Sequence, residues 1–204
     1  YDYENIGVWQ SDEAEAAAKY AAKPGDYKIK DQNNDGAIGE QDKVILGQRD
    51  PKVITSLYNV FQWKNFDASI NLNGAFGYLI HPNTYSGLIW RDGLRWQPKN
   101  VKFWTPDNPT NEYCRADKAT SVDPYNSTSG YMSGDYIKIQ DVTIGYNFKS
   151  LAPASWGIGK LRLYAQIRNP GYLYKACKND VTPEAPNFDY NIPTIYTMGI
   201  NFDF

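Results

Sequence analysis

The chain has 204 residues, room for one or two ordinary domains, and its 21 Lys and Arg nearly balance its 23 Asp and Glu. A net charge of -2 lacks the basic excess that nucleic-acid binding needs, so a nucleic-acid partner is excluded. Aromatics are abundant, with 17 Tyr and 6 Trp, which suits sugar-binding surfaces or membrane interfaces.

No run is long and apolar enough for a membrane helix. A mean hydropathy of -0.61 is still compatible with a transmembrane barrel, whose strands are only half apolar. The chain opens at Tyr1 with neither an initiating Met nor a signal peptide, and is read as a processed or truncated piece.

The pattern predicts one short surface helix over Ser11 to Lys23, capped by Ser11 and ended by Pro24-Gly25. PGDYKIK, Pro24 to Lys30, reads as a turn and a short strand, and KVILG, Lys43 to Gly47, as another. Between them DQNNDGAIGEQD spaces oxygen ligands as a calcium loop does. The candidate metal ligands are Asp31, Asn33, Asp35, the backbone carbonyl of Ala37, and Asp42, with Gly36 at the tight turn. Ile38 takes the apolar position that would pin the loop to a core. Gly39 offers no side chain at the ninth slot and Asp42 is shorter than Glu, so the expected Ca2+ site is structural and of modest affinity. The competing reading of the same residues is an Asx-rich turn without metal.

After Pro51 the period becomes two. Val53 to Trp63 and Asp67 to Gly77 read as strands joined by a tight turn at Lys64-Asn65. Ala68, Ile70, Leu72, Gly74 and Phe76 share one face of the second strand, and Asp67, Ser69, Asn71 and Asn73 the other. Tyr78 to Ser133 has little periodicity and is read as a long loop. Alternation resumes over Asp135 to Phe148, but Ile137 and Ile139 are out of phase with Val142, Ile144, Tyr146 and Phe148. A bulge near Gln140 would reconcile them. Leu161 to Arg168 and Thr194 to Phe204 complete five strands.

The connections alternate short and long, as in an up-and-down meander with all large loops at one end. Trp63, Phe66, Phe148, Trp156 and Phe204 fall at or beside the short-turn end, where an interfacial girdle belongs. Two regions follow: residues 1–52, a loop region with the helix and the acidic loop, and residues 53–204, strands with long external loops.

Catalytic signals are lacking. The single His81 precedes Pro82 with no partner motif, and a packing or surface role is expected for it. No nucleophile elbow, zinc motif or phosphate loop occurs. Cys114 and Cys177 are far apart and not in metal spacing, leaving a disulfide or two free thiols.

In these stretches the chain resembles the C-terminal part of SusC/RagA-type TonB-dependent transporters of Bacteroidetes outer membranes. The resemblance is carried by PGDYKIKDQNNDGAIGEQDKVILG (24–47), WKNFDASINLNGAFG (63–77), WTPDNPTNEY (104–113), GDYIKIQDVTIGYNF (134–148), LRLYAQIRN (161–169) and PTIYTMGINFDF (193–204), in the family's order. Two places depart from the family pattern, Gly39 and the stretch PGYLYKACKND after Asn169. The resemblance implies an all-β fold, an antiparallel up-and-down transmembrane β-barrel fragment in the bacterial outer membrane. It implies import of glycan or peptide oligomers, not enzymatic activity, with a SusD-like surface lipoprotein, an internal plug and energy through TonB. The terminal Phe204 looks like the family's signal for barrel assembly. Five strands fall short of the eight a barrel needs, so the missing strands and plug are expected on the rest of a longer transporter.

The alternative is a soluble calcium-dependent carbohydrate-binding β-sandwich module, with Trp90, Trp96 and Trp104 as sugar platforms. The two differ in whether the strands' apolar faces bury one another or turn to lipid. A glycoside hydrolase fragment has no supporting motif.

Overall fold

The computed structural model describes residues 1–82, 101–119, 123–148, 160–178, 181–187 and 192–203. Trp90, Trp96, Trp156 and Phe204 lie outside the described residues. By internal packing the chain forms two compact units. The first is Tyr1–Asp50, Leu79–Met132 and Pro186–Phe188; the second is Pro51–Tyr78, Ser133–Ala185 and Asp189–Phe204.

Short strands build much of the first unit. β1 (Asp2–Tyr3) pairs antiparallel with β4 (Lys43–Val44), and β2 (Asn5–Val8) with β3 (Tyr27–Ile29). Their inward side chains, Tyr3, Val8, Tyr27 and Ile29, meet Trp104, Cys114 and Ala119 in a buried cluster. Trp104 is only 7% exposed, and its Nε1 donates to Gln10 Oε1 at 3.0 Å. It is therefore a core residue and not a sugar platform.

The helix is shorter than the pattern predicts. A 3-10 turn over Ser11–Glu13 leads into α1 (Ala14–Lys19). The residue before the turn is Gln10, whose backbone N–H donates to Glu13 Oε2 at 3.0 Å, so Ser11 is not the cap. The helix stops early because Tyr20 stacks on Trp9 and Ala21 turns left-handed at φ 54, reversing the chain toward Gly25.

The second unit is one antiparallel sheet. β5 (Val53–Trp63), β6 (Phe66–Phe76), β9 (Tyr136–Phe148), β10 (Lys160–Lys175) and β11 (Ile195–Asp203) lie in the order β11-β10-β9-β6-β5. In sequence, β6 and β9 are separated by the two-residue strands β7 (Leu79–Ile80) and β8 (Met132–Ser133), which form a sheet of their own, and a 3-10 turn over Asn126–Gly130; Leu79–Met132 belongs to the first unit. The predicted hairpin is present, with Trp63 opposite Phe66 and Lys64 at φ 55 in the turn.

The predicted bulge is present as well. On the β6 side Asn71 pairs with Asp141 and Leu72 with Ile139, so Gln140 is the extra residue. It returns Ile137 and Ile139 to the face of Leu72 and Gly74, in phase with Val142 and Ile144. Opposite it, β10 takes its own irregularity between Arg168 and Gly171. Asn169 at φ 53 and Gly171 at φ 149 carry the chain past Pro170. The strand then continues past the alternation read to Arg168 and ends at Lys175, where the long connection to Pro193 is expected to begin, because a bulge accommodates the Pro-Gly pair.

Register sorts the sheet into two faces. Phe66, Tyr146, Leu163 and Ile200 form one row and Ala68, Ile144, Ala165 and Met198 the next. All the large residues of these rows but Tyr146 are exposed, Met198 at 87%. Asp67, Ser69, Asn71 and Asn73 occupy the other face with Thr143, Arg162, Tyr164 and Gln166. The division is least clean on β5, where Ile54, Tyr58 and Val60 share the polar face.

Tyr164 stands between Gly145 and Gly199 on the neighbouring strands. A Cβ on Gly199 would lie 2.5 Å from the Tyr164 ring, so the aromatic ring takes the space a side chain would need. Gly199→Ala should therefore destabilise the sheet by about 1–3 kcal/mol through overpacking. Combined with Tyr164→Ala, most of that loss should return in a double-mutant cycle of unfolding free energies. Additive losses would show that the two positions do not share this space.

Candidate functional site

Two constellations are of functional interest, one in each unit. In the first unit, the acidic loop is closed by its own carboxylates. Asp31 Oδ1 accepts from the Asn34 N–H at 2.7 Å, and Oδ2 from the Gly36 N–H at 2.9 Å. Asp35 Oδ1 accepts from the Ala37 N–H, and Oδ2 from the side-chain amides of Asn33 and Gln41. Asn33 Oδ1 in turn accepts from the Asp35 N–H at 3.0 Å. Gly36 has φ 84, the left-handed conformation that the turn requires. Ile38 packs against the buried cluster.

Asp42 differs from the other acids. It is fully buried, and its two oxygens accept from the N–H groups of Gln32 at 2.9 Å and Gly39 at 2.7 Å. This ties the neck of the loop. Asp31, Asn33, Asp35 and Ala37 thus share one turn, while Asp42 is committed to its base. Among the described residues, no three His, Cys, Asp or Glu side chains gather as a metal cluster. The donor set is nonetheless all oxygen, the chemistry Ca2+ takes. Asp31 Oδ1 and the two Asp42 oxygens each accept a single N–H and keep a second lone pair for a cation, while Asp31 Oδ2 also accepts from the Tyr20 hydroxyl.

The Asn33 amide, then the Ala37 N–H and the Gln41 amide, hold the Asp35 carboxyl below the usual carboxylate range. Its contribution to loop order is thus present above the ordinary carboxylate pKa and lost as pH falls through the lowered value.

In the second unit, the polar face carries a cross-strand network. Arg162 on β10 makes a two-pronged contact with Asp67 on β6, with Nε at 3.0 Å from Oδ1 and Nη2 donating to Oδ2. Asn147 on β9 donates to the same carboxylate at 3.0 Å, and the Arg162 guanidinium lies 5.3 Å from the Tyr164 ring centre. Farther along, Asn71 donates to Asp141 and Asn73 to Gln140. The bulged residue thus contributes its side chain to the polar face. A fixed polar face follows, with charges paired across the strands rather than poised as a catalytic acid and base.

Other candidate residues prove structural. His81 Nε2 lies 2.9 Å from the Ser127 carbonyl, and its ring packs on Tyr131. Cys114 and Cys177 are buried free thiols. Burial pushes the Cys114 thiol up to about 12.

With both faces defined, the chain can be compared with known proteins. No family model matches it. It is 28% identical to TonB-dependent receptor P26 of Formosa agariphila over 98% of the chain and 22% of that protein. TonB-dependent receptor P3 of the same organism is 26% identical over all of the chain and 22% of its own length. TonB-dependent receptor SusC of Bacteroides thetaiotaomicron is 23% identical over 89% of the chain and 18% of its own length. In structure, the chain aligns over its whole length with 22% of a chain of the RagAB peptide importer in its open-open state, with TM-score 0.65 and 16% identity. The closed-closed state of that importer gives 0.61.

The fold, a five-stranded antiparallel sheet with a unit of short strands, matches part of one chain of that importer. The chain is a homologue of the SusC/RagA-type TonB-dependent receptors, a family of the bacterial outer membrane whose members are not enzymes. It spans about a fifth of the length of the relatives it matches.

Replacing Asp42 by Ala would strip two backbone N–H groups of a charged acceptor, at a cost of about 2–3 kcal/mol in local opening. Amide hydrogen exchange at Gln32 and Gly39 should then quicken by one to two decades, by the usual conversion of free energy to populations. Unchanged exchange would show that Asp42 does not hold the neck.

Proposed function

We propose that the chain forms a stretch of wall in a TonB-dependent outer-membrane importer of glycan or peptide oligomers. The remaining strands and the plug come from the rest of the transporter, TonB supplies energy, and a SusD-like lipoprotein captures cargo at the surface. The observation that carries this reading is the division of the sheet. Exposed residues such as Phe61, Trp63, Phe66, Ile144, Met198 and Ile200 share one face. Burying each is worth about 1.5–3 kcal/mol, and lipid accounts for such a face where, among the described residues, no second layer covers it. The Asp67–Arg162–Asn147 network suits a water-filled passage on the other face. The name of the RagAB peptide importer favours peptide cargo, and the SusC likeness leaves oligosaccharide cargo open to the same test.

The test is deletion of the full-length gene. Cells should lose growth on either an oligopeptide mixture or an oligosaccharide mixture as sole nutrient, and keep growth on the monomers. The tagged full-length protein should copurify with a surface lipoprotein. Unchanged growth on both mixtures would overturn the import reading.

The same reading includes a structural Ca2+ held by Asp31, Asn33, Asp35, the Ala37 carbonyl and Asp42. Millimolar Ca2+ should slow proteolysis within residues 31–42 of the full-length protein, and chelator should restore it. The double substitution Asp31→Ala, Asp35→Ala should remove the calcium effect without blocking membrane insertion. Equal cleavage with Ca2+ and with chelator would leave a metal-free Asx turn as the description of the loop.

A further inference from the structure

At the end of the sheet away from the Lys64-Asn65 turn, Tyr136, Lys138, Tyr172 and Lys175 stand on the polar face. Register places Tyr172 opposite Lys138 and Lys175 opposite Tyr136, with Asn73 on the other side of Lys138. Residues 181–185 lie against these side chains. Glu184 Oε2 accepts from Lys138 Nζ at 2.8 Å and from the Tyr172 hydroxyl at 2.8 Å. Lys175 Nζ donates to the Val181 carbonyl at 3.0 Å, and Cys177 Sγ donates to the same oxygen at 3.1 Å. Thr182 and Ala185 close a tight turn, with the Ala185 N–H on the Thr182 carbonyl at 3.0 Å.

Burial is unusual for a polar sheet face. Lys138 is 4% exposed, Cys177 4% and Val181 fully buried. A lysine so far from water is held only by a partnered charge, here Glu184. The anchoring side chains Lys138, Tyr172 and Lys175 all belong to the polar face. The turn is therefore pinned to that face by an ion pair and two hydrogen bonds, which is more than an exposed connection needs.

We propose that residues 181–185 form a constriction in the cargo passage, latched to the wall by Lys138, Tyr172 and Glu184, that limits the length of oligomer admitted. This rests on the reading of the polar face as the lumen wall. The latch acts by position: it narrows the passage beside the wall while the sheet itself stays fixed. Glu184 is its detachable element, because it alone joins the turn to both Lys138 and Tyr172.

The test uses cells carrying the full-length transporter with both cysteines replaced by Ser and Thr182→Cys introduced. Uptake is measured for dye-tagged oligopeptides and dye-tagged maltooligosaccharides of graded length, before and after a bulky polyethylene-glycol maleimide is attached at position 182. The unlabelled protein should import one series, and labelling should abolish that import. A second variant, Lys138→Met with Glu184→Gln, should insert normally and shift the length cut-off toward longer oligomers. Full uptake after complete labelling, or an unchanged cut-off in the second variant, would overturn the constriction. If the unlabelled protein inserts but imports neither series, the transport reading itself fails and the constriction with it.

Discussion

The constraint on which the second unit depends is the phase of side-chain alternation across five strands. A strand shows its residues to opposite faces in turn, so a slip of one residue moves a whole apolar set to the wrong side. β9 carries two apolar sets of opposite parity, Ile137 with Ile139, and Val142 with Ile144. The extra residue Gln140 brings both sets to one face, and the irregularity around Pro170 lets β10 follow. Without these two devices the sheet would present Ile137 and Ile139 on the polar face, and Lys138 on the apolar one.

From that sorting the other features follow. The polar face pairs its charges within the sheet, as Asp67 does with Arg162, because charges so largely withdrawn from water are costly unless paired. The apolar face has large side chains standing free of any second layer within the described sheet, as a membrane surface does and a sandwich does not. The first unit stabilises itself differently, with a small aromatic core around Trp104 and a loop tied by Asp42. That is how a segment of short strands and polar turns can keep its shape.

Much of the sheet was legible in sequence because alternation is a direct print of the pleat. The limits of β5 and its turn at Lys64-Asn65, and the phase change at Gln140, follow from residue types alone. The start of the connection at Lys175 was legible, but the alternation of β10 could be followed only to Arg168, since the bulge around Pro170-Gly171 breaks the period there. β1 and β2 were hidden too, being too short for a period to register. At the acidic loop the spacing of Asp31, Asn33 and Asp35 was plain, but spacing could not reveal that Asp42 would be drawn into the base by two N–H groups. Nor could it reveal the Lys138–Glu184 pair, whose partners are brought together only in the folded chain.

The central claim is that one face of this sheet meets lipid and the other meets water. It is tested most directly by spin labels at the adjacent positions 197 and 198 of β11 in the full-length transporter, reconstituted in bilayers with the native cysteines replaced. The label in place of Met198 should collide with oxygen dissolved in the lipid and be shielded from a water-soluble nickel relaxant, and the label in place of Thr197 should show the reverse. Equal exposure of both labels to the nickel relaxant would contradict the account.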